Sequence, residues 1–165
     1  MVKPFRLARV PQIILRNGAL ADLPSIAASY GRNILLVTGA KSFFAAPGAN
    51  ILPEKFLANG LTIFHVTVPG EPSPAAINEA TARFREAGVD FVVSIGGGSV
   101  MDAGKAISAM LTAEGSVTDY LEVVGKHVHP GTKVPFIAIP TTSGTGSEAT
   151  KNGVISQVGK AGFKR

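Results

Sequence analysis

The segment AGVDFVVSIGGGSVMDAGKA, residues 87–106, decides the fold of this chain. Asp90 to Ile95 is a short apolar run of the kind that forms a strand covered on both faces. Gly96 to Gly98 follow it, and Ser99 to Thr112 carries helix-forming residues with apolar side chains three and four positions apart. A buried strand, a glycine turn and a helix form the repeating unit of parallel α/β sheets.

The same alternation extends in both directions along the chain. Further strands are predicted over Asn33–Thr38, Leu61–Val68 and Val134–Ile139, and further helices over Ala19–Tyr30, Ala49–Asn59 and Pro74–Ala87. We therefore predict one Rossmann-like α/β domain over residues 1–165, with a parallel sheet and helices on both faces. Because the crossovers of such a sheet are right-handed, the strand ends that carry glycine should share one edge of the sheet. We expect the functional site at that edge.

Smaller elements are predicted from local signals. Arg9–Arg16 is expected to be an antiparallel or edge strand, because Pro11 removes a ladder donor. Ser73 should cap the helix that begins at Pro74, and Gly88 should end it. A short helix is expected around Val117–Val123, and no further packing element after Val154.

Composition excludes several classes of protein. The 165 residues are 45% apolar and include no cysteine, which suits one globular domain or one lobe of a larger protein without disulfides or cysteine-bound zinc. No apolar run is long enough to cross a membrane, and a cytoplasmic location is expected. The net charge of +5 comes largely from basic residues near the chain end, with one aromatic neighbour, Phe163, so no nucleic-acid partner is expected.

The first glycine turn, Gly96 to Gly98, has the chemistry of an anion cradle. Backbone amides at a helix N-terminus attract a phosphate or pyrophosphate, and Ser99 is expected to cap the helix. The segment fits neither a P-loop, since Ala106 replaces the required hydroxyl, nor a Rossmann fingerprint, since Met101 stands where a third glycine belongs. A tight turn that binds nothing is the alternative.

A second turn, PTTSGTGSEAT, follows the last predicted strand at Pro140 to Thr150. Its glycines formally match a dinucleotide-binding spacing, but no acid lies about 20 residues beyond. Its hydroxyls could bond phosphate, ribose or a nicotinamide carboxamide. The alternative is a loop that caps a helix containing Glu148.

The two turns together carry a family resemblance. GGGSVMDAGKA and PTTSGTGSEAT, about forty residues apart, resemble the paired signatures of the iron-containing alcohol dehydrogenases. PGEPSP at Pro69–Pro74 and VTGAKSF at Val37–Phe43 are similar to that family as well. Dehydroquinate synthases are more distant relatives with a GGG turn, but the GTGSE segment fits the alcohol dehydrogenases better.

The resemblance implies a set of cofactor-binding residues. Gly97, Gly98 and Ser99 would hold the pyrophosphate of NAD or NADP, and Thr141, Thr142 and Thr145 would line the adenosine and nicotinamide ribose path. Asp102 would lie near the nicotinamide or brace the turn. Lys160, or Lys164 in another register, would reach a ribose or phosphate. Lys105 is expected at the helix surface, paired with an acid.

Cofactor choice is expected to depend on Gly39. Members of the family that prefer NAD place an aspartate there, where it accepts hydrogen bonds from the ribose and repels a 2′-phosphate. Gly39 removes that repulsion, and Lys41 and Ser42 could bond a phosphate, so NADP is permitted beside NAD.

The resemblance also sets limits. Family members continue into a helical domain whose aspartate and three histidines bind iron or zinc, and we expect that domain to be absent here. No metal or catalytic residue is therefore predicted in this chain; His127 and His129 are expected to be exposed loop residues. The full-length parent would interconvert a small alcohol with an aldehyde or ketone, with a homodimer formed through the N-terminal edge. A stand-alone nucleotide-binding or scaffold module is the alternative.

Overall fold

A four-stranded parallel sheet organises the structure, a computed structural model that describes residues 11–45, 48–159 and 162–164. The strands run in the order β2-β1-β3-β4 and are β1 Asn33–Gly39, β2 Thr62–Val68, β3 Phe91–Gly96 and β4 Phe136–Pro140. All three pairings are parallel. The four parallel strands predicted from sequence are confirmed, each within two residues at either end, together with the α/β class.

The helices follow the predicted order with shifted ends. They are α1 Leu23–Ala28, α2 Ser42–Ala45, α3 Leu52–Ala58, α4 Pro74–Phe84 and α5 Gly98–Met110. The predicted helices at Ala19 and Ala49 begin as 3₁₀ turns, and the α-helical part starts next to Pro24 and Pro53, which lack an amide hydrogen. Val117–Tyr120 is a 3₁₀ turn, and α2 was not predicted.

Helix α4 confirms the predicted N-cap. The Ser73 hydroxyl accepts a hydrogen bond from the Ala76 amide at 3.3 Å. The helix ends at Phe84, three residues before the predicted end, and the chain turns through Gly88, whose φ is +66°.

Two expectations about the chain ends are wrong. Residues 11–15 form no strand, and Leu15 is 95% exposed with no sheet partner to cover it; residues 9 and 10 lie outside the described part. After Val154 the chain forms an antiparallel hairpin of β5 Gln157–Gly159 and β6 Gly162–Lys164. These three-residue strands are too short to give a recognisable hydrophobic period.

The core lies on both faces of the sheet. Leu35 and Val37 of β1 pack with α4 and α5 on one face, and Ile34 and Leu36 pack with α1 and α3 on the other. Strands β1 and β3 are central and buried, which explains their continuous apolar sequence. Within the described residues, no helix has the length and apolar character needed to span a membrane.

Helix α5 lies close against the sheet at Gly104. A Cβ on Gly104 would overlap the Ser94 hydroxyl of β3 and lie 2.9 Å from Cε2 of Phe136 on β4. The absence of a side chain at Gly104 therefore sets how closely α5 lies on β3 and β4. This approach fixes where the N-terminus of α5 meets the carboxyl edge of the sheet.

We predict that Gly104→Ala lowers the free energy of unfolding by about 1–2 kcal/mol. Overpacking typically costs about 1–3 kcal/mol, and the overlap with both Ser94 and Phe136 puts Gly104→Ala in the upper part of that range. The cost therefore exceeds the gain of roughly 1 kcal/mol in helix propensity. Urea unfolding measures the change. Gly70→Ala is the matched control, because its Cβ would meet no atom within 4 Å.

The partner in this overlap can be removed as well. Ser94→Gly combined with Gly104→Ala should restore part of the lost stability, because Ser94 supplies two of the three nearest atoms. Full wild-type stability for Gly104→Ala alone would show that this contact does not set the distance between α5 and the sheet.

Candidate functional site

Three strand ends meet at one edge of the sheet, as the sequence predicts. Gly39 ends β1, Gly96 ends β3 and Pro140 ends β4; Gly96 pairs with Pro140, and Thr38 pairs with Ile95. The chain passes from β1 outward to β2 and from β3 outward to β4, so the strand order reverses between β1 and β3. In open α/β sheets, ligands bind outside the carboxyl ends at such a point.

The GGG turn presents uncapped amides at this edge. Gly97 is the N-cap residue of α5, with φ of −79°, and no side chain caps the helix. Ser99 lies inside the helix, so the expectation that it caps α5 is wrong. The first amides of a helix have no acceptor within it, and they attract an anion together with the helix dipole.

The glycines in this turn serve close approach rather than unusual backbone angles. None of Gly96, Gly97 and Gly98 has a positive φ. A Cβ on Gly96 would lie 2.6 Å from Cγ2 of Val100, and a Cβ on Gly97 would lie 3.1 Å from Oγ1 of Thr142. The turn is therefore packed tightly against α5 and against the second glycine-rich turn.

The second turn lies opposite the first. Thr141, Thr142 and Thr145 are exposed, and Cγ2 of Thr145 would lie 3.3 Å from a Cβ on Gly98. The Thr141 amide donates to the Gly96 carbonyl at 2.9 Å, which fixes the start of the turn. Residues 147–149 form a turn rather than a helix, so the alternative of a loop capping a helix at Glu148 is wrong.

Asp102 and Lys105 join the two turns from beneath. Lys105 Nζ lies 3.0 Å from Oδ1 of Asp102, and each side chain is only 11% exposed. Nζ also donates to the Ser147 carbonyl at 2.9 Å, to the Thr150 hydroxyl at 3.3 Å and to the Asn152 carbonyl. The predicted pairing of Lys105 with an acid is confirmed, but its predicted surface position is wrong, because residues 147–152 fold over it.

A histidine on β2, which the sequence did not single out as functional, lies beside the end of β1. Thr38, next to the buried Gly39, has its Oγ1 2.8 Å from Nε2 of His65 on β2, and the Phe44 ring meets the imidazole edge to face. Partial burial lowers the pKa of His65 below its ordinary value of 6.5. This bond joins residues 27 positions apart, which no local signal reveals.

The structure describes the remaining predicted cofactor residues only in part. Lys41 is exposed beyond the end of β1. Ser42 begins α2, but its side chain lies outside what the structure describes, as does that of Lys164. Lys160 itself lies outside the described residues. Their contacts with a cofactor stay predictions.

The described residues do not fit an iron or zinc site. Among residues 11–45, 48–159 and 162–164, no group of three or more histidine, cysteine, aspartate and glutamate residues could hold a metal ion. His129 accepts from the Gly131 amide at 3.0 Å, and both His127 and His129 pack near the Tyr120 ring. These two histidines contribute to the structure of their own loop.

Comparison with known proteins gives a consistent result. The family model for iron-containing alcohol dehydrogenase matches residues 11–164. The chain is similar to 4-hydroxybutyrate dehydrogenase of Cupriavidus necator, with 39% identity over 145 residues, which are 87% of this chain and 37% of that protein. The chain therefore spans less than two fifths of this relative's length.

Two solved structures show the same similarity. NADH-dependent butanol dehydrogenase A from Thermotoga maritima matches with a TM-score of 0.84 at 25% identity, over 93% of this chain and 38% of that one. Sulfoacetaldehyde reductase from Bifidobacterium kashiwanohense, solved in complex with NAD⁺, matches with a TM-score of 0.71 at 26% identity, over 90% of this chain and 39% of that one.

We predict that His65 makes the stability of this edge depend on pH. Its folded pKa is lowered, so the unfolded chain binds a proton more readily. The stability that neutral His65 supports is complete above pH 6.5 and is lost as the pH falls through the folded pKa. Urea unfolding between pH 8 and pH 5 should therefore show a smaller loss for His65→Gln than for the wild type.

The matched control is His127→Gln, which removes an exposed histidine. It tests whether removing any histidine from the chain is enough to flatten the dependence on pH. If His65→Gln also loses stability as steeply as the wild type, proton uptake at His65 does not contribute.

Proposed function

We propose that this chain, which belongs to the iron-containing alcohol dehydrogenase family, is a lobe that binds a nicotinamide dinucleotide between its two glycine-rich turns. The observation that carries the proposal is the direct apposition of Gly97 and Gly98 with Thr142 and Thr145 at the switch point of the sheet. A tight strand-to-helix turn alone would not need hydroxyls across from its glycines.

The residues at this edge suit each part of such a cofactor. The uncapped amides of Gly97, Gly98 and Ser99 would bind the pyrophosphate, for which glycine leaves the necessary space. The exposed hydroxyls of Thr141, Thr142 and Thr145 would bond the ribose and carboxamide oxygens, and Asp102 would brace the turn from below. When bound, the nicotinamide ring supplies hydride transfer.

The substrate class follows from the relatives that the chain resembles. Dehydrogenases and reductases of small alcohols and aldehydes support a parent reaction that interconverts an alcohol with an aldehyde or ketone. Within that reaction this lobe would position the cofactor. We assign no catalytic or metal-binding residue to it, and the predicted homodimer through the N-terminal edge stays a proposal.

We predict that the chain binds NADPH or NADH. For whichever cofactor binds more tightly, Gly98→Val should raise the dissociation constant roughly tenfold or more. A valine would place its methyl groups in the gap between the turns, beside Thr145. Calorimetric titration measures both dissociation constants. Circular dichroism and urea unfolding check that the variant stays folded.

Ala82→Val is the matched control, because it adds a valine at an exposed position of α4. It should bind the cofactor as the wild type does. Wild-type affinity in a folded Gly98→Val variant would mean that the turn is only structural. Steady alcohol-dependent NADPH production by the pure chain would contradict the assignment of cofactor positioning alone.

A second prediction concerns the 2′ position of the adenosine ribose. Gly39→Asp should shift preference toward NADH by about ten- to hundredfold, or about 1–3 kcal/mol, because its carboxylate would bond ribose hydroxyls and repel a 2′-phosphate. The wild type should favour NADPH, with the exposed Lys41 close by in sequence.

Dissociation constants for both cofactors, measured side by side in wild type and variant, give the shift. Because Gly39 is buried, the unfolding midpoint of the variant is measured in parallel. A strong NADH preference in the wild type would show that Gly39 does not read the 2′ position.

A further inference from the structure

We propose that Lys105 is the positioning residue that holds the two glycine-rich turns together as one cofactor cradle and neutralises Asp102 beneath it. This inference rests on the proposed function, because it concerns the same site. Lys105 lies in the second helical turn of α5. The sequence alone predicted a surface residue there and did not suggest this role.

The first support is the set of acceptors around the ammonium group. Oδ1 of Asp102, the carbonyls of Ser147 and Asn152 and the hydroxyl of Thr150 all lie within hydrogen-bond distance of Nζ. An ammonium group has three hydrogens to donate, so these four oxygens use its full capacity. Lys105 therefore has no donor left for a cofactor phosphate, which separates a positioning role from direct binding.

The second support is where those acceptors lie in the chain. The start of the second turn is fixed by the bond from Thr141 to the Gly96 carbonyl. Lys105 fixes its far end, residues 147–152, to the helix that begins at the first turn. Between these two points lie the exposed Thr142 and Thr145. With both ends held, the Thr142 hydroxyl stays opposite Gly97, and the Thr145 side chain stays opposite Gly98.

The third support is charge. Asp102 is buried and lies one helical turn from the amides of Gly98 and Ser99, where the pyrophosphate would bind. An unpaired carboxylate there would be costly to bury and would repel an anion. Lys105, 3.0 Å away, removes this negative field, so the helix N-terminus can still attract phosphate.

The test uses Lys105→Met, which keeps most of the side-chain length but removes the charge and the donors. We expect it to weaken NADPH or NADH binding roughly tenfold to hundredfold. Without cofactor, hydrogen–deuterium exchange of residues 141–152 should become faster, whereas β1 and β3 keep their protection. Lys55→Met, on the exposed side of α3, is the control of equal charge and should change neither.

A second variant separates charge from tethering. Lys105→Met combined with Asp102→Asn should recover part of the cofactor affinity, because the unpaired carboxylate is gone, but exchange of residues 141–152 should stay fast. Lys105→Arg, which keeps charge and donors, should stay closer to the wild type in both measurements than Lys105→Met.

The outcomes are distinguishable from failure of the proposed function. If the wild type binds neither NADPH nor NADH, the proposed function is wrong, and exchange alone decides whether Lys105 tethers the turn. If Lys105→Met keeps wild-type affinity and wild-type exchange at residues 141–152, the inference is overturned. If affinity falls but Lys105→Arg and the double variant recover nothing, Lys105 acts only on general stability, and the inference is overturned as well.

Discussion

The approach of α5 to β3 at Gly104 is the contact on which the site depends. Because no side chain separates Gly104 from Ser94, the helix lies close against the sheet, and its N-terminus is held at the end of β3. Asp102 and Lys105 lie on the same stretch of helix. One tight contact thus orients the uncapped amides and the ion pair together, and the remaining strands supply the turns around them.

The chemistry of the edge results from opposed electrostatic effects. The N-terminus of α5 has no side-chain cap and so favours an anion. The buried Asp102, one helical turn further along, opposes one. Pairing Asp102 with Lys105 resolves the conflict, and the same lysine donates to the carbonyls of the second turn. Lys105 therefore both balances the charge of Asp102 and holds residues 147–152 in place.

The sequence predicted what local pattern determines and missed what distant contacts determine. Buried parallel strands are continuous apolar runs, so β1 and β3 were found, and the glycine turns after strands were correctly placed at one edge of the sheet. The burial of Lys105 depends on residues 42 to 47 positions later in the chain, and the bond of His65 depends on a neighbouring strand. Ser99 was expected as a cap because serine suits that role, but α5 begins at Gly98, so the N-cap position falls at Gly97.

If the proposed function is right, both glycine-rich turns contact one bound dinucleotide. Backbone amide NMR shifts, recorded during titration with NADPH and with NADH, test it residue by residue. The amides of Gly97 to Ser99 and of Thr141 to Thr145 should shift together, along one saturation curve. Shifts confined to one turn, or located away from the carboxyl edge of β3, would contradict it.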